Sequence, residues 1–144
     1  MPQERRTKIE SKITLTIPGE PRGKQRPKWS PVGTYTPKKT VTYEAYIKEL
    51  FATKYPDFIP LDSALTVQIW AGLLMPKSTS KKKEGMMKLG IIKPTKRPDV
   101  DNILKTVMDA LEKLAYKNDS QIVRVIMDKD YSERPRLEIT ISWS

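Results

Sequence analysis

The sequence predicts an α+β fold: a single small domain, residues 1–144, in which a mixed or antiparallel sheet of about four strands carries two main helices. Three observations lead there. Several segments alternate apolar and polar side chains with the period of two that marks a half-buried strand. Two others repeat apolar residues at intervals of three and four, as a helix with one buried face does. The elements follow one another as strand, loop, helix, strand, basic loop, helix, strand, strand, with no internal repeat or second unit of composition. A chain of this length buries roughly two thirds of its unfolded surface, and its apolar content of 38% supplies a core.

Residues 1–10 are polar. From Lys12 to Ile17, Ile13, Leu15 and Ile17 alternate with Thr14 and Thr16, and Pro18-Gly19 stops the strand. Glu20 to Pro37 holds Pro21, Gly23, Pro27, Pro31, Gly33 and Pro37 among basic residues and reads as irregular chain or a short hairpin. Trp29 and Tyr35 are its anchors, either in a core or against nucleic acid. A helix is expected over Thr40–Ala52, with Val41, Ala45, Ile47 and Phe51 on its period and Lys54-Tyr55-Pro56 ending it. Leu61–Trp70 is the next strand, with Leu65, Val67 and Ile69 on one face. Met75–Pro98 shows no regular pattern beyond a short helix from Lys81-Lys82-Lys83 to Met86-Met87, and so long a connection inside a compact domain is a candidate for binding. The second main helix runs from about Asn102 to Ala115, burying Ile103, Val107, Ala110, Leu111 and Leu114. Gln121–Asp128 and Arg136–Trp143 alternate again, and strands so close in sequence are expected to pair antiparallel.

The net charge of +10 is uneven. Six basic side chains and no acidic one lie between Arg22 and Lys39, and eight basic residues face only Glu84 and Asp99 between Lys77 and Asp99. These two stretches exceed the whole net charge, so the remainder is slightly acidic. Basic blocks concentrate a polyanion, and nucleic acid is the first candidate; solubility or an acidic membrane surface is the plainer alternative. With no cysteine and no histidine, disulfides, thiol and imidazole catalysis, and Cys/His zinc sites are excluded from this chain. No run approaches the roughly 20 apolar residues of a membrane span, and Met1-Pro2-Gln3-Glu4-Arg5-Arg6 leads into no apolar stretch, so an intracellular protein without a signal peptide is expected.

Chemistry concentrates at Pro98–Asp119. Asp99 and Asp101, two residues apart, face one way if the chain is extended before the helix, and hard carboxylate oxygens suit Mg²⁺. Singly, each reads more simply as a helix cap or as a response to the positive helix end. As a pair beside a basic loop they read as metal ligands. Lys105 follows Asp101 by one turn and either clamps a phosphate, orients water or forms an ordinary i,i+4 pair worth about 0.2–0.5 kcal/mol. Asp109, another turn on, is either a partner of Lys105 or a surface charge. Asp119 poses a geometric problem, because a helix of about 14 residues is roughly 21 Å long. Either the helix is shorter and Tyr116–Asp119 folds back, or Asp119 completes a site across a two-fold interface. The dimer is the preferred reading.

The run Arg97-Pro98-Asp99-Val100-Asp101-Asn102-Ile103-Leu104-Lys105, with Asp109-Ala110-Leu111 and Tyr116-Lys117-Asn118-Asp119-Ser120-Gln121-Ile122 behind it, resembles the signature of the RusA family of Holliday junction resolvases. Ile17-Pro18-Gly19, Lys24, Arg26-Pro27 and Tyr35-Thr36-Pro37 are similar to the basic opening of its phage and prophage members. The resemblance implies an endodeoxyribonuclease that binds four-way (branched) DNA as a homodimer and nicks two opposed strands with Mg²⁺ or Mn²⁺, without organic cofactor or membrane attachment, in the cytoplasm during recombination and repair. By motif position it implies Asp99, Asp101 and Asp119 as metal-binding, catalytic carboxylates and Lys105 as the catalytic lysine. Asn102, Asp109 and Gln121 occupy motif positions with no role assigned, as candidates to support the site. Lys24, Arg26, Lys28, Lys81, Lys82, Lys83, Lys88, Lys93, Lys96 and Arg97 are candidates for DNA-backbone contacts. Three rivals stand beside this reading: a non-catalytic nucleic-acid-binding protein, a metal nuclease for other branched or duplex DNA, and a structural partner in a larger complex.

Overall fold

The alternation between Ser11 and Pro18 forms strand β1, and the computed structural model describes residues 11–23, 28–31, 33–35 and 38–144. A short antiparallel hairpin follows, β2 (Lys28–Ser30) and β3 (Gly33–Tyr35), as the Pro/Gly-rich composition allows. Lys24 and Arg26, and the side chains of Lys28, Trp29, Tyr35 and Val41, lie outside the described residues. Helix α1 spans Lys38–Lys54, β4 Leu65–Leu74, α2 Lys81–Lys88, α3 Val100–Leu111, β5 Ile122–Ser132 and β6 Arg136–Trp143.

Strands β1, β6, β4 and β5, in that spatial order, make one four-stranded mixed sheet. Register puts Ile13, Leu15 and Ile17 opposite Ile141, Ile139 and Leu137, and those opposite Val67, Ile69 and Ala71. This apolar face is covered by α1 through Tyr43, Ile47 and Phe51 and by α3 through Ile103, Val107, Ala110 and Leu111, all buried in one core. Ala45, on the expected α1 face, is exposed instead. The opposite face of the sheet carries Thr16, Glu138, Trp70, Asp128 and their polar neighbours.

The sequence neighbours β5 and β6 do not pair. They are separated by β4, which runs parallel to β5 and antiparallel to β6, so the expected antiparallel pairing of close strands gives way to a connection that crosses β4. Strand β4 also starts later than its apolar pattern suggests. Leu61 is used elsewhere: its N–H donates to the Ala115 carbonyl at 2.9 Å, and its carbonyl accepts from the Lys117 N–H at 3.1 Å. The alternation then runs on through the buried Ala71 and Leu73 to Leu74.

On the polar face, Trp70 lies flat over Gly72: a Cβ at residue 72 would stand 2.6 Å from the indole ring. The Arg136 guanidinium covers the same ring at 4.6 Å, and the indole N–H donates to Asp130 at 2.8 Å. Only glycine leaves room for this stack.

Candidate active site

Helix α3 begins at Val100, two residues earlier than its periodicity suggests, which puts Asp99 in the capping position. The Asp99 backbone is extended (φ −76°, ψ 149°), yet its carboxylate makes no capping hydrogen bond. Asp101 stands inside the first turn, where it cannot be the cap. Both are exposed, and among the described residues neither carboxylate has a hydrogen bond or ion pair. Neither side chain therefore serves as a helix cap.

Lys105 is mostly exposed and reaches Asp109 at 3.5 Å, so the i,i+4 pair runs forward along the helix and leaves Asp101 free of it. Asn102 packs its Cβ against the backbone of Gly23, where an added Cβ would approach to 2.8 Å. That close approach lays the chain at Gly23 on the first turn of α3, beside the two aspartates.

A residue with no motif signal holds this end of the helix in place. Lys129, on the helix-facing side of β5, donates to the carbonyls of Lys96 at 2.9 Å and Pro98 at 3.1 Å. The ammonium pins the segment that contains the cis Arg97–Pro98 peptide and leads directly into Asp99.

The other end of α3 is organised differently. The helix stops at Leu111, before the expected Ala115, and Lys113 adopts a positive φ of 73°. Tyr116, buried, returns to donate its hydroxyl to the Met108 carbonyl at 2.6 Å; burial first, then the acidic Glu112, Asp119 and Asp109, push that phenol above its usual pKa. A short 3₁₀ turn, Asp119–Gln121, follows. Gln121 donates to the carbonyls of Leu61 (2.8 Å) and Ser63 (3.0 Å) and accepts from the Asn118 N–H (2.8 Å), so its role is to fasten this turn to the chain before β4. The Asp119 N–H donates to the Glu112 carboxylate at 3.1 Å, and its own half-buried carboxylate makes no hydrogen bond among the described residues. Twelve helical residues span about 17 Å, and the fold-back keeps Asp119 at the C-terminal end of α3, away from Asp99 and Asp101.

The model of the family described as endodeoxyribonuclease RusA matches residues 18–142. The chain belongs to this family. The uncharacterized protein YqaN of Bacillus subtilis (strain 168) is 37% identical over 135 residues, 90% of this chain and 94% of that protein. The crossover junction endodeoxyribonuclease rusA of Lactococcus phage r1t is 45% identical over 49 residues, 33% of this chain and 37% of that protein.

In this RusA chain the donor chemistry fits a divalent cation at Asp99 and Asp101, whose oxygens are hard, exposed and uncommitted. Among the described residues, however, no three acidic side chains of one protomer gather closely enough to hold an ion. Asp109 is turned to Lys105 instead. The basic candidates divide in two. Lys88 pairs with Glu133 at 2.6 Å and Glu84 at 3.1 Å, contacts that raise its own pKa and hold Glu133 below the usual carboxylate range. Lys93 pairs with Asp130. Lys81, Lys82, Lys83, Lys96 and Arg97 are exposed, with side chains in no ion pair among the described residues.

Proposed function

We propose that this chain is a divalent-metal-dependent nuclease that resolves four-way DNA junctions as a homodimer, each active site built from both subunits. Membership of the endodeoxyribonuclease RusA family supports DNA cleavage, and the name of the phage relative supports a crossover junction as the substrate. The observation that carries the shared site is the separation of Asp99 and Asp101 from Asp119 at opposite ends of α3. Two α3 helices running antiparallel across a two-fold axis bring the N-terminal end of each to the C-terminal end of the other. A two-fold contact buries the same patch from both copies. Candidates for that patch are Val100, 43% exposed on the helix face that Leu104 and Met108 continue at intervals of four, and Val123 and Val125 of the edge strand β5, 71% and 41% exposed.

Asp99 and Asp101 of one subunit, with Asp119 of the partner subunit, would hold the ion. When bound, a divalent cation supplies Lewis acidity toward a phosphate oxygen and a more acidic bound water. Lys105 is exposed one turn along from Asp101 and held by Asp109 only in a surface pair, which contributes little; it is free to turn to the scissile phosphate and neutralise charge developing there. Lys81, Lys82, Lys83, Lys96 and Arg97 supply contacts to the DNA backbone, which position the substrate without reading its sequence.

The test is cleavage of a labelled immobile four-way junction against a matched linear duplex, with Mg²⁺, Mn²⁺ or EDTA. Wild type is expected to give paired, ligatable nicks in the junction only with metal, and Asp101→Asn to lose about 10³-fold or more in rate with binding retained. Mixing Asp101→Asn with Asp119→Asn then decides the shared site. A heterodimer whose sites cross the interface has one site with both carboxylates intact, so nicking returns; sites confined to single subunits stay dead in the mixture. Tight junction binding without cleavage under any metal would make the chain a binding protein.

A further inference from the structure

Helix α2 ends in a turn whose construction and composition disagree. The Gly90 N–H bonds the Met87 carbonyl at 3.1 Å, and the Ile91 N–H bonds the Met86 carbonyl at 2.9 Å, with Gly90 at φ +75°. This pair of bonds is the Schellman closure of a helix, in which the residue after the glycine usually packs back on the helix. Here it does not: Ile91 is 63% exposed and Leu89, on the other side of the glycine, 77%. The turn is nevertheless tied to its neighbours. Met87 is buried beneath it, Lys88 bridges to Glu133, and Lys93 reaches Asp130 on β5. Two large apolar side chains thus stand in water on a hydrogen-bonded turn.

Their surroundings indicate what covers them. The exposed Lys81, Lys82 and Lys83 open the same helix, and the exposed Lys96 and Arg97 follow the turn. Beyond these, the chain is clamped by Lys129 and enters Asp99. An apolar tip with cations before and after it, tied to the segment that leads into the acidic site, matches a polyanion that offers apolar faces between its charges. Apolar side chains inserted between base steps are a known way of opening and kinking a duplex, with flanking cations on the phosphates.

Resting on the DNA-cleavage reading above, we propose that Leu89 and Ile91 form a wedge that packs against the exposed base faces at the branch of a DNA junction and holds the branch open beside the active site. The experiment uses 2-aminopurine at the branch point of an immobile junction, bound in Ca²⁺, together with nicking rates in Mg²⁺ for the full chain. Wild type is expected to raise the fluorescence on binding. Leu89→Ala/Ile91→Ala, which removes only exposed side chains, is expected to lose most of that rise and about tenfold in nicking rate, while nicking a junction with unpaired nucleotides at its branch within about twofold of wild type. Leu89→Met/Ile91→Met should restore both signals. A full fluorescence rise in the alanine variant, or an equal loss of rate on both junctions, overturns the wedge. A wild type that opens the branch but never nicks keeps the wedge and removes the nuclease reading. One that nicks normally alongside an equally active alanine variant removes the wedge alone.

Discussion

The two ends of α3 are built in opposite ways. At the C-terminal end, Gln121, Asn118, Glu112 and Tyr116 spend their polar groups on backbone partners, and Asp119 rides on a turn fixed from several sides. At the N-terminal end, Asp99 and Asp101 make no such bonds among the described residues, and Lys129 ties the segment from outside the helix. A carboxylate can be positioned by fixing the backbone that carries it or by leaving its oxygens free on a braced segment. This chain uses the first at Asp119 and the second at Asp99, and among the described residues the acidic groups of the two ends do not gather.

The largest expected effect separates these designs at the C-terminal end. Gln121→Ala leaves the carbonyls of Leu61 and Ser63 and the Asn118 N–H without this partner. The expected loss is about 2 kcal/mol of stability, measured by denaturant unfolding, with a loss of nicking because Asp119 is no longer fixed. A stability change within the error of the midpoint would show that the turn is held by its apolar contacts, and the contrast between the two ends would weaken.

Lys129→Met tests the other end and should cost less globally. Two carbonyls lose a charged donor, but the segment is at the surface, so about 1 kcal/mol is expected, with the change concentrated locally. Amide exchange at Lys96–Asp101 should accelerate by about tenfold while the core of α3 is unchanged. Nicking should fall although every carboxylate remains. Unchanged exchange in that segment would mean that the brace lies elsewhere.

The same contrast explains what the sequence reveals and what it hides. Strands β1, β4 and β6 are legible because each buries one face, so Ile13, Leu15 and Ile17, or Leu137, Ile139 and Ile141, declare themselves by alternation. The acidic end of α3 is legible as well, because Asp99, Asp101 and Lys105 are surface groups in a short motif. The end of α3 is not: Leu114 continues the apolar period past Leu111, and the stop is made by Lys113 in a conformation that usually selects glycine. What ends the helix is tertiary, Tyr116 returning to Met108 and Leu61 bonding across to Ala115 and Lys117. Lys129 was hidden for a similar reason, since a lysine in an alternating strand carries no sign of the carbonyls it reaches. The insertion of β4 between β5 and β6 is likewise a choice among long-range partners that local pattern does not encode.

The smallest effect concerns the second tie on the basic connection. Lys129 holds it on one face of β5; Lys93 holds it on the other, through Asp130, which also accepts from Trp70. Burial pushes the Asp130 pKa up, but the bonds from Lys93 and Trp70 outweigh it and set the folded value below the ordinary range. A depressed folded pKa means that the stabilisation is complete above the unfolded value, about 4 for an aspartate, and is lost as pH falls through the folded one. Asp130→Asn should therefore lower Tm slightly at neutral pH, and the difference from wild type should close as the pH drops below about 4. The ion pair is largely exposed, so a small and salt-sensitive difference is expected. A gap between the two proteins that stays constant down to acid pH would show that Asp130 acts through the Trp70 hydrogen bond and its packing. The turn carrying Leu89 and Ile91 would then owe its position to Lys88 and Met87 alone.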